Sequence, residues 1–194
     1  MSRKKRYPPR FPRYAAGIRL QGAGSGLPAA WWEKRWMDSV ACKDVGGRYG
    51  RAKVYASGGQ VVELDINGCN VDAKVVGLRP GPYDVSIAFR APEGEARERI
   101  VKRLKSNPAV VARLVNGDLP LEVEEAFRHE KCDLFPGGKL AEDVYDVTTK
   151  CSCPDWANPC KHSFAVLELI GEEVSMRPWR LLELRGIPMA EVAP

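Results

Sequence analysis

Residues 61–89, VVELDINGCNVDAKVVGLRPGPYDVSIAF, decide how the chain is to be read. Three β-rich runs, VVELDI, VDAKVVGL and YDVSIAF, are separated by two compact turn signals, NGCN and RPGP. Asn67-Gly68 is a hairpin signal, because both central residues of a tight hairpin turn take positive φ and Asn and Gly tolerate it. The segment from 48 to 90 therefore reads as a small antiparallel β-meander. Arg48, Tyr49, Arg51, Lys53 and Tyr55 are expected at the start of that sheet, where basic and aromatic side chains either line a groove for a nucleic-acid strand or form an ordinary exposed strand.

Outward from the meander the period changes to that of helices. Trp31, Trp32, Trp36, Met37 and Val40 fit one wide helical face and read as core rather than as a stacking platform. Over 93–106, Ile100, Val101 and Leu104 point inward, while Glu95/Arg99 and Glu98/Lys102 form i,i+4 pairs on a solvated face. Short helices follow at 108–115 and 120–128, with Pro108 and Pro120 near their first turns. Pro178 opens WRLLELRG, a short helix whose Trp179, Leu181, Leu182 and Leu184 cover the core. The fold class is α+β.

The densest chemistry lies in CSCPDWANPCKH, residues 151–162, which hold three of the six cysteines and one of the two histidines. Thiolates with an imidazole are the ligand set that zinc prefers. Residues two apart on a strand point to the same side, so Cys151 and Cys153 can share one ion. Pro154 and Pro159 keep the following backbone extended or turning and bring Cys160 back. The apolar spacing of KHSFAVLELIGEE predicts a helix that begins at the site, with Cys160 just before its first turn, His162 inside it and Gly171 as its stop. Three thiolates and one neutral imidazole leave a formal charge near −1, which the helix N-terminus and Lys161 favour. Four protein ligands close the tetrahedron, so the zinc reads as structural. An oxidised cysteine pair or a Cys/His nucleophile are the other readings, and neither explains why four ligand-type residues crowd together. If the site is a small metal fold, losing Cys153 should unfold residues 143–171.

The C-x-C-x6-C-x-H spacing, with CPDW and NPCKH as they stand, resembles the SWIM-type zinc finger. WWEKRW at 31–36, RPGPYDVSI at 79–87, DLFP at 133–136 and PWRLLELRG at 178–186 extend the likeness to small prokaryotic SWIM-finger proteins over roughly residues 16–187. The resemblance implies zinc held by Cys151, Cys153, Cys160 and His162. It also implies binding to DNA or proteins, often beside chromatin-remodeller-like ATPases, and no enzymatic activity for the finger.

Charge adds an independent line. The formal net charge is +5, yet the first 22 residues carry Arg3, Lys4, Lys5, Arg6, Arg10, Arg13 and Arg19 with no acid, so the rest of the chain is slightly acidic. A basic arm on a near-neutral body suggests a polyanionic partner. Its prolines, arginines, Tyr7, Phe11 and Tyr14 suit phosphate contact and stacking on unpaired bases. No apolar run is long enough for a membrane span or a signal peptide, and zinc thiolates need a reducing compartment, so an intracellular, cytoplasmic location is expected. Cys42, Cys69 and Cys132 are too scattered for a second ligand motif and read as buried thiols.

The expected organisation is a basic Pro/Gly-rich arm and linker at 1–28, an α+β body at 29–142, a strand-turn-helix finger with C-terminal helices at 143–187 and a tail at 188–194. The leading functional expectation is a non-enzymatic zinc protein that binds nucleic acid, with DNA favoured by the resemblance. Contacts are expected at Arg3, Lys4, Lys5, Arg6, Arg10, Arg13, Arg48, Arg51, Lys53 and Lys161. An RNA- or ribosome-associated protein using the same arm, and an adaptor for a remodeller-like ATPase, are the alternatives.

Overall fold

The computed structural model describes residues 16–22, 29–41, 43–44, 46–137 and 146–193. The arm cations Arg3, Lys4, Lys5, Arg6, Arg10 and Arg13, together with Cys42, lie outside the described residues.

The meander is present as β1 (Val61–Asn67), β2 (Asn70–Val76) and β3 (Pro82–Phe89), and β4 (Val147–Cys151) adds to β3. All neighbours are antiparallel in the order β1-β2-β3-β4. Asn67 ends β1 and pairs with Asn70, so the hairpin is where the sequence places it but its two central residues are Gly68, at φ 55°, and Cys69; the positive φ falls on the glycine and not on Asn67. Strand alternation sorts the two faces. Val71, Ala73, Val75, Val85, Ile87, Phe89 and Val147 are buried on one side, while Asp72, Asp84, Ser86 and Lys150 are exposed on the other.

Helices cover the apolar face. α1 (Trp31–Ala41) buries Trp36 and Val40, and α2 (Arg48–Ser57) buries Arg48, Ala52, Tyr55 and Ala56. A side layer comprises α3 (Gly94–Lys105), α4 (Pro108–Val115) and α5 (Leu121–His129). α6 (Lys161–Met176) is the central helix, packed against α1, α2 and the sheet. α7 (Arg180–Leu184) and α8 (Met189–Val192) close the chain.

Four expectations are corrected. First, Arg48, Tyr49, Arg51, Lys53 and Tyr55 lie on a helix rather than at the start of the sheet. Their alternation along the sequence has period two, yet the buried residues 48, 52, 55 and 56 recur at i, i+4, i+7 and i+8. The small side chains of Ala52 and Ala56 let α2 lie close on α6. Asp44 fixes where the helix starts, its Oδ1 accepting from the amides of Arg48 at 2.7 Å and Tyr49 at 3.2 Å.

Second, α6 runs past Gly171 to Met176. That glycine is a close approach and not a stop: a Cβ there would lie 2.6 Å from Trp36 Nε1. The indole nests against it and donates to the Leu167 carbonyl at 3.2 Å.

Third, residues 17–20 are docked on the body instead of belonging to a linker. Gly17 N donates to the Gly59 carbonyl at 3.0 Å and Ile18 N to the Val61 carbonyl at 2.7 Å, extending the sheet beyond β1. A Cβ on Gly17 would lie 2.2 Å from the Val61 carbonyl oxygen.

Fourth, the segment read as a tail from 188 holds α8, whose Val192 is buried. Its Glu191 receives Arg97 Nη2 at 2.7 Å.

One buried cation ties the layers together. Arg185, 2% exposed, donates to the carbonyls of Leu134 (3.0 Å), Phe135 (2.9 Å) and Arg90 (2.9 Å), and to Asp146 Oδ2 at 2.9 Å. Every strong donor direction of the guanidinium is thus met, which is what makes a buried Arg tolerable. The DLFP turn, the end of β3 and the residue before β4 are held by this one side chain.

Candidate metal centre

Two core elements deliver the cluster. β4 carries Cys151 opposite Val85, and the pairing with β3 continues past it: Ser152 N donates to the Asp84 carbonyl at 3.0 Å, and Asp84 N to Ser152 Oγ at 2.9 Å. β4 ends at Cys151 and the backbone bends over 152–154, which keeps the Cys153 sulfur with that of Cys151. On the other flank Cys160 is the N-cap of α6, with extended φ −86° and ψ 173°, and His162 lies in the first turn. These placements match the sequence reading.

The loop between the flanks is tied at three points. Arg48 grips Asp155 in a bidentate pair, Nε to Oδ2 at 3.1 Å and Nη2 to Oδ1 at 2.9 Å. Ala157 N donates to Asp155 Oδ1 at 3.2 Å. Asn158 Nδ2 donates to the Thr149 carbonyl at 2.8 Å, while Thr149 Oγ1 donates back to Asn158 Oδ1. Arg48 is therefore committed to holding the loop; it is 9% exposed and sits with its guanidinium 4.9 Å from the Trp156 ring centre. Among the other sequence-predicted contact residues, Arg51 and Lys53 are exposed on α2, and Lys161 is half-buried at the start of α6.

The ligand-type atoms of Cys151, Cys153, Cys160 and His162 all lie within 4.8 Å of one another. His162 Nδ1 is 3.8 Å from Cys151 Sγ and 3.7 Å from Cys160 Sγ. A tetrahedral ion with sulfur ligands at about 2.3 Å and nitrogen at about 2.0 Å spaces neighbouring ligand atoms by roughly 3.6 Å. The donor set and its spacing thus fit a metal ion of the zinc class. Nδ1 faces the sulfurs, and the buried Nε2 has no hydrogen-bond partner among the described residues. Aromatic rings orient the imidazole in place of the usual second hydrogen bond. Tyr83 lies 4.7 Å away at 36° and Tyr55 5.2 Å away at 68°. Gly77 makes room for this arrangement, since a Cβ there would lie 2.2 Å from the Tyr83 ring.

The protein groups polarise the sulfurs unequally. Cys160 is pushed well below the ordinary thiol range, first by a hydrogen bond with Cys151 and then, against burial, by His162, the Ser163 amide and Ser163 Oγ. The same hydrogen bond, with burial, pushes Cys151 up. The helix N-terminus favours the anion at Cys160. Asp155 is held below its ordinary range, chiefly by its hydrogen bond from Arg48.

Sequence reasoning missed two residues here. Trp156, inside the ligand spacer, is 81% exposed; its signal was an aromatic residue with no apolar periodicity around it to bury it. Arg185 gave no sequence signal, because its partners are carbonyls and an aspartate 39 to 95 residues away.

Residues 143–171 match the SWIM zinc finger family. The chain is 31% identical over 180 residues to a protein of Mycobacterium tuberculosis (strain ATCC 25618 / H37Rv) named "Uncharacterized protein Rv2102". That alignment covers 92% of the present chain and 63% of the relative's length. No solved structure matches.

Proposed function

We propose that this chain, which carries a SWIM zinc finger at residues 143–171, is a non-enzymatic zinc protein that binds nucleic acid. Cys151, Cys153, Cys160 and His162 would hold the ion, which when bound supplies a cross-link between the end of β4 and the start of α6. The chain's own residues prepare that link: Cys160 is already biased toward the thiolate, and two tyrosine rings fix the imidazole.

The observation that carries the binding reading is the basic surface joined to the finger. α2, which packs along α6, exposes Arg51 and Lys53 with no acid in its ten residues, its Arg48 being neutralised by Asp155, and Lys161 begins α6 beside it. The acid-free cations of residues 1–15 add to that charge. Phosphates supply the matching charge and make affinity salt-dependent. DNA is favoured by the family resemblance, and an RNA target uses the same cations.

The test is salt-dependent binding of the zinc-loaded protein to duplex DNA, to structured RNA and to single strands, with and without residues 1–15. This cut spares the docked segment at 17–20. Saturable binding is expected, and truncation should flatten the plot of log K against log salt by about 0.9 for each duplex phosphate that the arm neutralises. Absence of binding to duplex DNA, structured RNA and single strands alike near physiological salt would overturn the reading and move an adaptor role for a partner such as a remodeller-like ATPase to the front.

A further inference from the structure

Of the chain's five tryptophans, four are packed: Trp36 is buried and Trp31, Trp32 and Trp179 are partly buried against the core. Trp156 is 81% exposed, more than any other large hydrophobic residue described. On a flexible loop tip that would be ordinary, but this tip is fixed. Asp155, immediately before it, is clamped by Arg48, Ala157 immediately after it is 8% exposed, and Asn158 is tied to Thr149 on β4. Ligand-type cysteines bound the loop at 153 and 160. The indole is therefore displayed on a rigid knuckle, backed by the Arg48 guanidinium at 4.9 Å and otherwise open to solvent.

Its surroundings are cationic. Lys161, half-buried in the first turn of α6, lies 5.4 Å from the Tyr55 ring centre. Arg51, one turn from Arg48 on the adjoining α2, is exposed with its Nη2 donating to the Gly46 carbonyl at 3.1 Å, whereas Lys53 lies over the Tyr49 ring on another face of that helix. The neighbouring carboxylates are already engaged, Asp155 by Arg48 and Asp44 by the α2 amides. A flat aromatic face rimmed by cations is the arrangement that stacks a base and holds the flanking phosphates. Inside a duplex both faces of each base are already stacked, so the ring can be used only by an unpaired base.

We infer that Trp156 is a stacking platform for an unpaired base and that the finger face is built for single-stranded nucleic acid, with Lys161 and Arg51 on the phosphates. The inference rests on the nucleic-acid reading above and specifies its form.

The experiment measures affinities of the full, zinc-loaded chain for fluorescently labelled single-stranded DNA and RNA oligonucleotides and for duplex DNA, comparing the wild type with Trp156→Ala and Trp156→Phe. Because the side chain is exposed, both variants should fold, which zinc content and circular dichroism verify. The expected result is a single-strand preference, a loss of roughly 5- to 150-fold for the Ala variant on single strands, near-complete retention for Phe and little change on duplex. The DNA and RNA arms show which strand is preferred. Equal single-strand affinity for wild type and Trp156→Ala, or duplex bound as tightly as single strand, overturns the inference while leaving the nucleic-acid reading standing. Binding to no polymer overturns both.

Discussion

α6 and the loop that precedes it are contiguous in sequence and held by opposite physics. In α6, His162 through Gly171 and Val174 are all buried, and Phe164, Ala165, Val166, Ile170 and Val174 are fully enclosed by the sheet side and by α1 and α2. In the loop, Ser152, Pro154 and Trp156 are exposed, and what fixes them is a handful of polar ties plus the ligand cluster. Apolar burial sums over many side chains, whereas a tied loop depends on a few discrete interactions. The helical half of the finger thus packs as part of the body, and an ion at the cluster would staple the loop onto it.

The largest effect should come from the core side of that contrast. Phe164 is fully buried with its ring edge-on to Tyr49 at 5.7 Å, so Phe164→Ala should cost about 3–5 kcal/mol in chemical denaturation. That is a large share of a typical domain's stability of roughly 5–15 kcal/mol. Cys153→Ala should act more locally. Zinc measured by mass spectrometry should fall from one per chain toward none, and hydrogen exchange should open over residues 152–160 while the α6 amides stay protected. Joint loss of protection over residues 143–171, as the sequence alone suggested, would show that the ion holds the helix as well. Retention of one zinc per chain would remove Cys153 from the ligand set.

The same contrast explains what could be read in advance. The ligand cluster was legible because its four residues fall within twelve positions, and local strand and N-cap geometry suffices to assemble them. The meander was legible because alternation and a turn glycine are also local, although the turn is centred on Gly68-Cys69 and not on Asn67-Gly68. α2 was not, since its burial depends on Ala52 and Ala56 meeting α6, while Tyr49, Arg51, Lys53 and Tyr55 display a strand-like alternation. Gly171 carries the symbol of a helix stop, and only the Trp36 indole, 135 residues away in sequence, gives it its role. Arg185 and Trp156 were silent for opposite reasons. The first answers carbonyls brought from distant segments, and the second answers to nothing within the described residues except Arg48.

The smallest effect separates the two classes of cysteine. Burial pushes the Cys69 thiol above its ordinary range, outweighing Arg185 and Arg97, and it does the same at Cys132 with added repulsion from Glu130. Neither residue is near the ligand cluster in sequence. Between the unfolded thiol value of about 8.5 and the raised folded value, the unfolded chain releases protons that the folded chain retains. The stabilising contribution is therefore fully present below that window and is lost as the pH rises through it. Alkylation of the native zinc-loaded protein followed by peptide mass spectrometry should find Cys69 and Cys132 labelled more slowly at about pH 8, below the thiol window, than in the denatured chain, with the gap closing as the pH rises. Cys151, Cys153 and Cys160 should resist labelling until a chelator is added, and then react whatever the state of the two body thiols. If chelation exposed Cys69 and Cys132 as well, the loop and the body would be one cooperative unit, and the division drawn between them would fail.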